Sequence, residues 1–162
     1  MNIGIIVHSQ SGHTAQMAKA IAAQLTRGGH EVDTILLMTS GMSKPGSRRF
    51  TINNAPADED LAQFDAIFFG GPVWAFKASP VIMRYLGELP KLSGKPAACF
   101  VTMGLPWRSL GGTRALFTMN KRLEVADASV MPGEILHYFF GFNKQRLEAA
   151  VARIACRLEA SA

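Results

Sequence analysis

Cysteine is scarce in this sequence. Cys99 and Cys156 are the only two in 162 residues, and neither has a second thiol near it. That excludes a disulfide framework and a zinc site built on paired cysteines. Cys99 sits in the apolar run Ala97-Ala98-Cys99-Phe100-Val101 and reads as a small buried hydrophobe. Leu105 stands where a C-x5-R phosphatase loop would carry its arginine, so that chemistry is missing too. No apolar stretch approaches the ~20 residues needed to cross a bilayer. The run at residues 3–7 is too short for the core of a secretory signal, and a reducing cytoplasm is the expected compartment. Like charges never accumulate into a long run, so there is no polybasic arm. Neither G-x-x-x-x-G-K-S/T nor G-x-G-x-x-G occurs, which argues against an ATP or GTP P-loop and against a dinucleotide Rossmann site.

What is present points to an ordered chain. Apolar residues make up 48% and charged residues only 18%, the opposite of a disordered composition. The length suits a single domain spanning residues 1–162. Lys and Arg number 17 against 12 Asp and Glu, a formal net of +5 that raises affinity for anions in general. A basic soluble protein with no particular anionic partner satisfies the same numbers.

Hydrophobic patterning alternates between two periods. Ile3-Gly4-Ile5-Ile6-Val7 reads as a buried strand, and Met17, Ala18, Ile21, Ala22 and Leu25 recur at helical spacing until Gly28-Gly29. A second strand is expected at 32–37, a third at 65–70, a fourth at 97–102 and a fifth at 129–136, the last interrupted by Pro132-Gly133. Helices are expected from Ser79-Pro80 to Gly87, near 113–123, and through Leu147, Val151, Ile154 and Leu158. Residues 38–57 carry turn chemistry with Lys44, Arg48 and Arg49 and are expected to form a loop that flanks a site or varies freely. Strands alternating with helices predict an α/β domain: a doubly wound, five-stranded parallel sheet of order 2-1-3-4-5 in a three-layer α/β/α sandwich. In that topology ligands bind beyond the carboxyl ends of the strands, where the loops starting at His8, Gly70 and Thr102 converge.

Each of those loops has chemical content. Ser9-Gln10-Ser11-Gly12-His13-Thr14 supplies hydroxyls, a glycine and a row of backbone N–H groups at a helix start, which together can hold a phosphate without any basic side chain. A merely capped strand-to-helix turn would have the same composition. Pro72, Val73, Trp74, Ala75 and Phe76 put two large aromatics in a bent segment, able to stack on a planar heteroaromatic ligand or to tuck under as a small satellite core. Thr102, Met103 and Gly104 form a third wall whose backbone can approach a ligand closely. Residues 66–87 and 89–123 contain no Asp or Glu but hold Lys77, Lys91, Lys95, Arg108 and Arg114, so an electropositive mouth is expected. His13 is a candidate phosphate ligand or proton source, or a solvated loop histidine. His8 and His137 read as structural, and Tyr138-Phe139-Phe140-Gly141-Phe142 as a segment buried beside the last helix or a subunit contact.

These motifs, in this order, resemble the flavodoxin-like FMN proteins over essentially the whole chain. Ser9-Gln10-Ser11-Gly12-His13-Thr14 resembles their phosphate loop, and Gly12-His13-Thr14-Ala15-Gln16-Met17-Ala18 is similar to the tryptophan-repressor-binding-protein group of NAD(P)H:quinone oxidoreductases. Gly70-Gly71-Pro72-Val73-Trp74-Ala75-Phe76 with Ser79-Pro80 resembles the second flavin loop, and Thr102-Met103-Gly104 the third. The resemblance implies that Ser9, Gln10, Ser11, Gly12, His13 and Thr14 surround the FMN phosphate. It places residues 72–76 and 102–104 around the isoalloxazine ring. The chain departs from the quinone-reductase group in a third loop poorer in Gly and Thr and in its short length, and from electron-carrier flavodoxins in being basic.

The chemistry would then be borne by the flavin, with no catalytic side chain required. The first functional expectation is an FMN-dependent oxidoreductase that takes electrons from NADPH or NADH and reduces quinones or similar small acceptors. The second is a one-electron shuttle that docks on a redox partner protein. The third is a basic binding module without redox chemistry, in which nucleic acid is a poor fit for want of a basic run. A homo-oligomer is compatible with all three. No metal site is expected.

Overall fold

The structure, a computed structural model, describes residues 1–41, 49–138 and 143–161. The apolar run at the start forms β1 (Asn2–Val7), and the helical period after it forms α1 (His13–Arg27). Then follow β2 (Glu31–Leu36), β3 (Thr39–Gly41), β4 (Phe50–Ile52) and a short α2 (Asp58–Ala62). Next come β5 (Ala66–Trp74), β6 (Lys77–Ala78), α3 (Pro80–Gly87), β7 (Pro96–Met103) and α4 (Gly112–Val125). β8 (Ser129–Val130), β9 (Glu134–His137) and α5 (Lys144–Ser161) complete the chain.

The main sheet runs β2-β1-β5-β7-β8, the doubly wound order expected from the sequence, with these neighbours paired in parallel. Side chains alternate between its faces with the period of two that a strand imposes. Ile3, Ile5 and Val7 pack with Met17, Ile21 and Leu25 of α1 and with Val151, Ile154 and Leu158 of α5. Ile67, Phe69, Cys99 and Val101 pack on the opposite face with Ile82 and Leu86 of α3 and Met119 and Leu123 of α4. Burying these side chains contributes roughly 1.5–3 kcal/mol each. This double-sided burial explains why the strands read as continuous apolar runs.

Three departures from the expected elements have physical causes. Residues 38–57 are not without structure: β3 and β4 form an antiparallel ribbon, held by Asn54, whose side chain accepts from the Met38 amide at 2.7 Å and donates to the Leu36 carbonyl at 2.8 Å. Lys44 and Arg48 lie outside the described residues. The third strand does not stop at Gly70 but continues to Trp74 and turns back as β6, adding an antiparallel hairpin to an otherwise parallel sheet. The fifth strand is split by Pro132-Gly133 into β8 and β9, both paired with β7. Helix α5 stitches that break. Arg153 donates to both carboxylate oxygens of buried Glu134 at 2.8 and 2.9 Å, and Arg157 donates to the same carboxylate and to the Pro132 carbonyl. These two guanidinium groups outweigh the desolvation of Glu134 and hold its carboxyl below the usual carboxylate range.

Candidate functional site

The carboxyl ends of β1, β5, β7 and β9 meet at one edge of the sheet. At the end of β1 the chain turns through Ser9 to Gly12 and enters α1. Gly12 takes φ +89°, a left-handed conformation that a residue without Cβ adopts without strain, and this lets the first turn of α1 open toward solvent. Ser9 Oγ accepts from the Ala15 amide at 3.2 Å and so holds the turn closed. Among the described residues, the amides of Ser11, Gly12 and Thr14 donate to no protein acceptor. They lie at the positive end of a 15-residue helix whose first turn has no acidic residue, an arrangement that attracts an anion. Gln10, Ser11 and Gly12 are exposed, whereas Thr14 is buried and its hydroxyl bonds Thr102 Oγ1 at 2.8 Å.

At the end of β5 the chain makes a two-residue hairpin. Val73 pairs with Ala78 and Trp74 with Lys77, so Ala75 and Phe76 alone form the turn, at φ +46° and +64°. Two consecutive left-handed residues are what a type I′ turn demands, and Asn-Gly is its usual occupant. Ala and Phe hold that geometry at roughly 1–3 kcal/mol of strain each. The turn is kept in place from outside: a Cβ on Gly111 would lie 2.5 Å from Phe76 Cα, so only glycine lets the start of α4 press against the hairpin backbone. Phe76 is 53% exposed despite its size.

Behind the hairpin lies His8, 4% exposed, its ring edge-on to Trp74 at 5.2 Å between centroids. Ser79 Oγ accepts from the Ile82 amide as the cap of α3 and shares a second hydrogen bond with His8 Nδ1, 2.9 Å away. Burial lowers the pKa of His8 to about 4.

Between the hairpin and the loop after β7 lies a cleft of about 510 Å³. Val73, Trp74, Ala75 and Phe76 form one wall, and Met103 and Gly104 begin the other. Pro72 and Thr102 do not line it. They face each other in register within the sheet and are buried, because β5 runs past Gly70 and brings Pro72 into pairing with Thr102 at the end of the expected fourth strand. Leu105, Leu110 and Tyr138 also line the cleft and escape sequence reasoning. Tyr138 is the most consequential of them. Its ring stacks on His13 at 3.8 Å with the planes 4° apart, and its amide donates to the Met103 carbonyl at 3.0 Å. It therefore ties the first loop to the third. The available signal was its position directly after the last strand, at the same sheet edge as the other loops. Phe139, Phe140 and Phe142 lie outside the described residues.

The mouth is basic and partly aromatic. Lys77, Arg108 and Arg114 are exposed around it, Trp107 is 64% exposed, and neither wall of the cleft contains Asp or Glu. Among the described residues, no group of His, Cys, Asp and Glu could hold a metal ion, and no helix is long and apolar enough to cross a membrane.

No protein-family model matches the sequence, and no curated protein sequence does. Solved structures do match. Oxidised flavodoxin 1 from Bacillus cereus superposes with a TM-score of 0.74 at 18% identity, covering 100% of this chain and 99% of its own. The flavodoxin of Streptococcus pneumoniae TIGR4 gives 0.74 at 13% identity with both chains fully covered. A candidate quinone reductase from Klebsiella pneumoniae gives 0.64 at 15% identity, covering 99% of this chain and 85% of its own. Together with the strand order, these likenesses give the protein a flavodoxin-like α/β fold.

Proposed function

We propose that this protein binds FMN across the three loops and uses it to carry electrons from NADPH or NADH to quinones or similar small acceptors. The observation that carries the proposal is a convergence at one sheet edge. An amide-rich turn at a helix start lies next to an apolar cleft with an aromatic wall, and neither contains an acid.

The residues present fit that cofactor. The amides of Ser11, Gly12 and Thr14, without an acceptor among the described residues, suit a terminal phosphate, with Ser9, Gln10 and His13 adjacent. Val73, Trp74, Ala75, Phe76, Met103 and Gly104, together with Leu105, Leu110 and Tyr138, suit a planar ring. When bound, the flavin supplies hydride and single-electron chemistry. The chain's own part is to bind, orient and bias. Trp74 is braced by His8, which in turn is braced by Ser79. Lys77, Arg108 and Arg114 give the mouth a potential that draws in the phosphates of a nicotinamide donor. The motif at Gly12 to Ala18 supports placement with the tryptophan-repressor-binding-protein type of oxidoreductase.

A second reading, a one-electron shuttle, is favoured by one observation: this chain and the single-domain flavodoxins cover each other almost completely. Anaerobic titration of the FMN-loaded protein with NADPH and NADH separates the two. Prompt bleaching of the flavin band by either donor supports the oxidoreductase. Retention of FMN with slow reduction by both nicotinamides, but ready reduction by dithionite in separable one-electron steps, supports the shuttle. Failure to retain FMN overturns both.

A further inference from the structure

A second cleft, of about 540 Å³, shares Trp74 and Ala75 with the first and is otherwise bounded by β6 and the first turns of α3 and α4. The proposed flavin site uses only the shared Trp74 and Ala75, and Lys77 and Arg114 enter the proposed function only through the potential they lend the mouth. Trp74, Pro80 and Met83 give it an apolar lining, and Lys77 and Arg114 stand in that lining as cations. It contains no acidic residue, and among the described residues neither cation has an ion-pair partner. Arg114 occupies the first turn of α4, where the helix dipole favours an acid and the sequence supplies none. A cation placed against that preference adds to the positive potential, and Pro80 opens a second helix whose amino end borders the same space.

Such a lining selects its ligand by chemistry. A hydrated inorganic anion gains nothing from Trp74, Pro80 and Met83, and a neutral hydrocarbon gains nothing from the exposed cations Lys77 and Arg114 at the edge of the same space. A flat apolar body carrying one anionic group satisfies both. We propose that this cleft binds small aromatic carboxylates, the ring against Trp74 and Met83 and the carboxylate paired with Lys77 and Arg114. Trp74 belongs to both clefts, so its indole reports occupancy directly.

The test uses the full chain without added FMN, which makes its outcome independent of the flavin proposal. Trp107→Phe leaves Trp74 as the sole tryptophan. Titration of that variant with 2-naphthoate should quench Trp74 fluorescence saturably. The uncharged 2-naphthamide should bind at least tenfold more weakly. Lys77→Gln with Arg114→Gln should weaken naphthoate at least tenfold while circular dichroism stays unchanged; of the two clefts, these residues line the second and not the first. Equal affinity for acid and amide, undiminished affinity in the double variant, or an absence of saturable quenching would each overturn the assignment. Displacement of naphthoate by AMP at lower concentration than by naphthoate analogues would reassign the cleft to a nucleotide and overturn it as well.

Discussion

The turn at Ser9 to Gly12 and the turn at Ala75-Phe76 face the same site but are built on opposite terms. The first puts its left-handed residue on Gly12, with nothing within 4 Å of where a Cβ would stand. It is a local device, closed by Ser9 on Ala15, and would form in much the same way in any strand-to-helix connection. The second puts left-handed geometry on Ala75 and Phe76, which disfavour it, and relies on contact with Gly111 some 35 positions later to hold it. An unstrained turn presents backbone amides. A strained one presents side chains, and the difference explains which turn can offer an aromatic wall. Strain of this kind persists only where the surrounding structure over-determines the backbone, and it gathers at functional sites.

The comparison can be broken most severely at Gly111. Gly111→Val places a Cβ 2.5 Å from Phe76 Cα at φ +108°, so the hairpin must move. A loss of about 3 kcal/mol or more is expected in urea unfolding, with the first cleft lost alongside it. Gly12→Val separates function from stability at the other turn. With open space around it, the variant should fold with a normal circular-dichroism spectrum and lose only ~1–2 kcal/mol to backbone strain. FMN affinity should nevertheless fall at least a hundredfold. FMN affinity unchanged in Gly12→Val would sink the phosphate-loop assignment.

A smaller effect links the two turns through the histidine behind them. The unfolded chain takes a proton on His8 near pH 6.5, whereas the fold resists it down to about 4. Between those values the unfolded state binds more protons, so stability is complete above about pH 6.5 and declines as pH falls toward 4. The decline should be on the order of 3 kcal/mol, and urea midpoints of His8→Gln should show a flatter slope over that window. The mildest change sharpens the contrast by replacing the strained pair with Ala75→Asn and Phe76→Gly. This should raise stability by about 1 kcal/mol and weaken FMN retention, because the turn is relaxed and the Phe76 ring is lost from one wall of the cleft.

Much of the fold was legible because the sheet is buried on both faces. The apolar runs at 3–7, 65–70 and 97–102 announce their strands, and Ser79-Pro80 announces the start of α3 with the capping bond observed at Ile82. β7 ends at Met103, one residue past the expected 102, but the carboxyl end of β5 was misplaced because Gly71 and Pro72 look like loop residues by composition. In the fold they satisfy their backbone groups within the sheet and with Ser79, whose amide donates to the Pro72 carbonyl at 3.0 Å. The short helix at 58–62 had too few apolar residues to show a period. Tyr138 was legible as an aromatic after a strand, but its stacking on His13 spans 125 positions of sequence and no local pattern encodes it.

By itself, the sequence determined the alternation of strand and helix, the amide-rich turn and the lack of acids around the site, since each follows from local period, turn chemistry or charge count, and the strand order followed from that alternation through the topology rule for doubly wound sheets. Only the tertiary structure decided the strained hairpin, the pairing of Thr14 with Thr102, the neutral state of His8 and the second cleft beside Lys77 and Arg114. Each of these depends on residues far apart in the chain being pressed together, and burial is what sets their conformation and their charge.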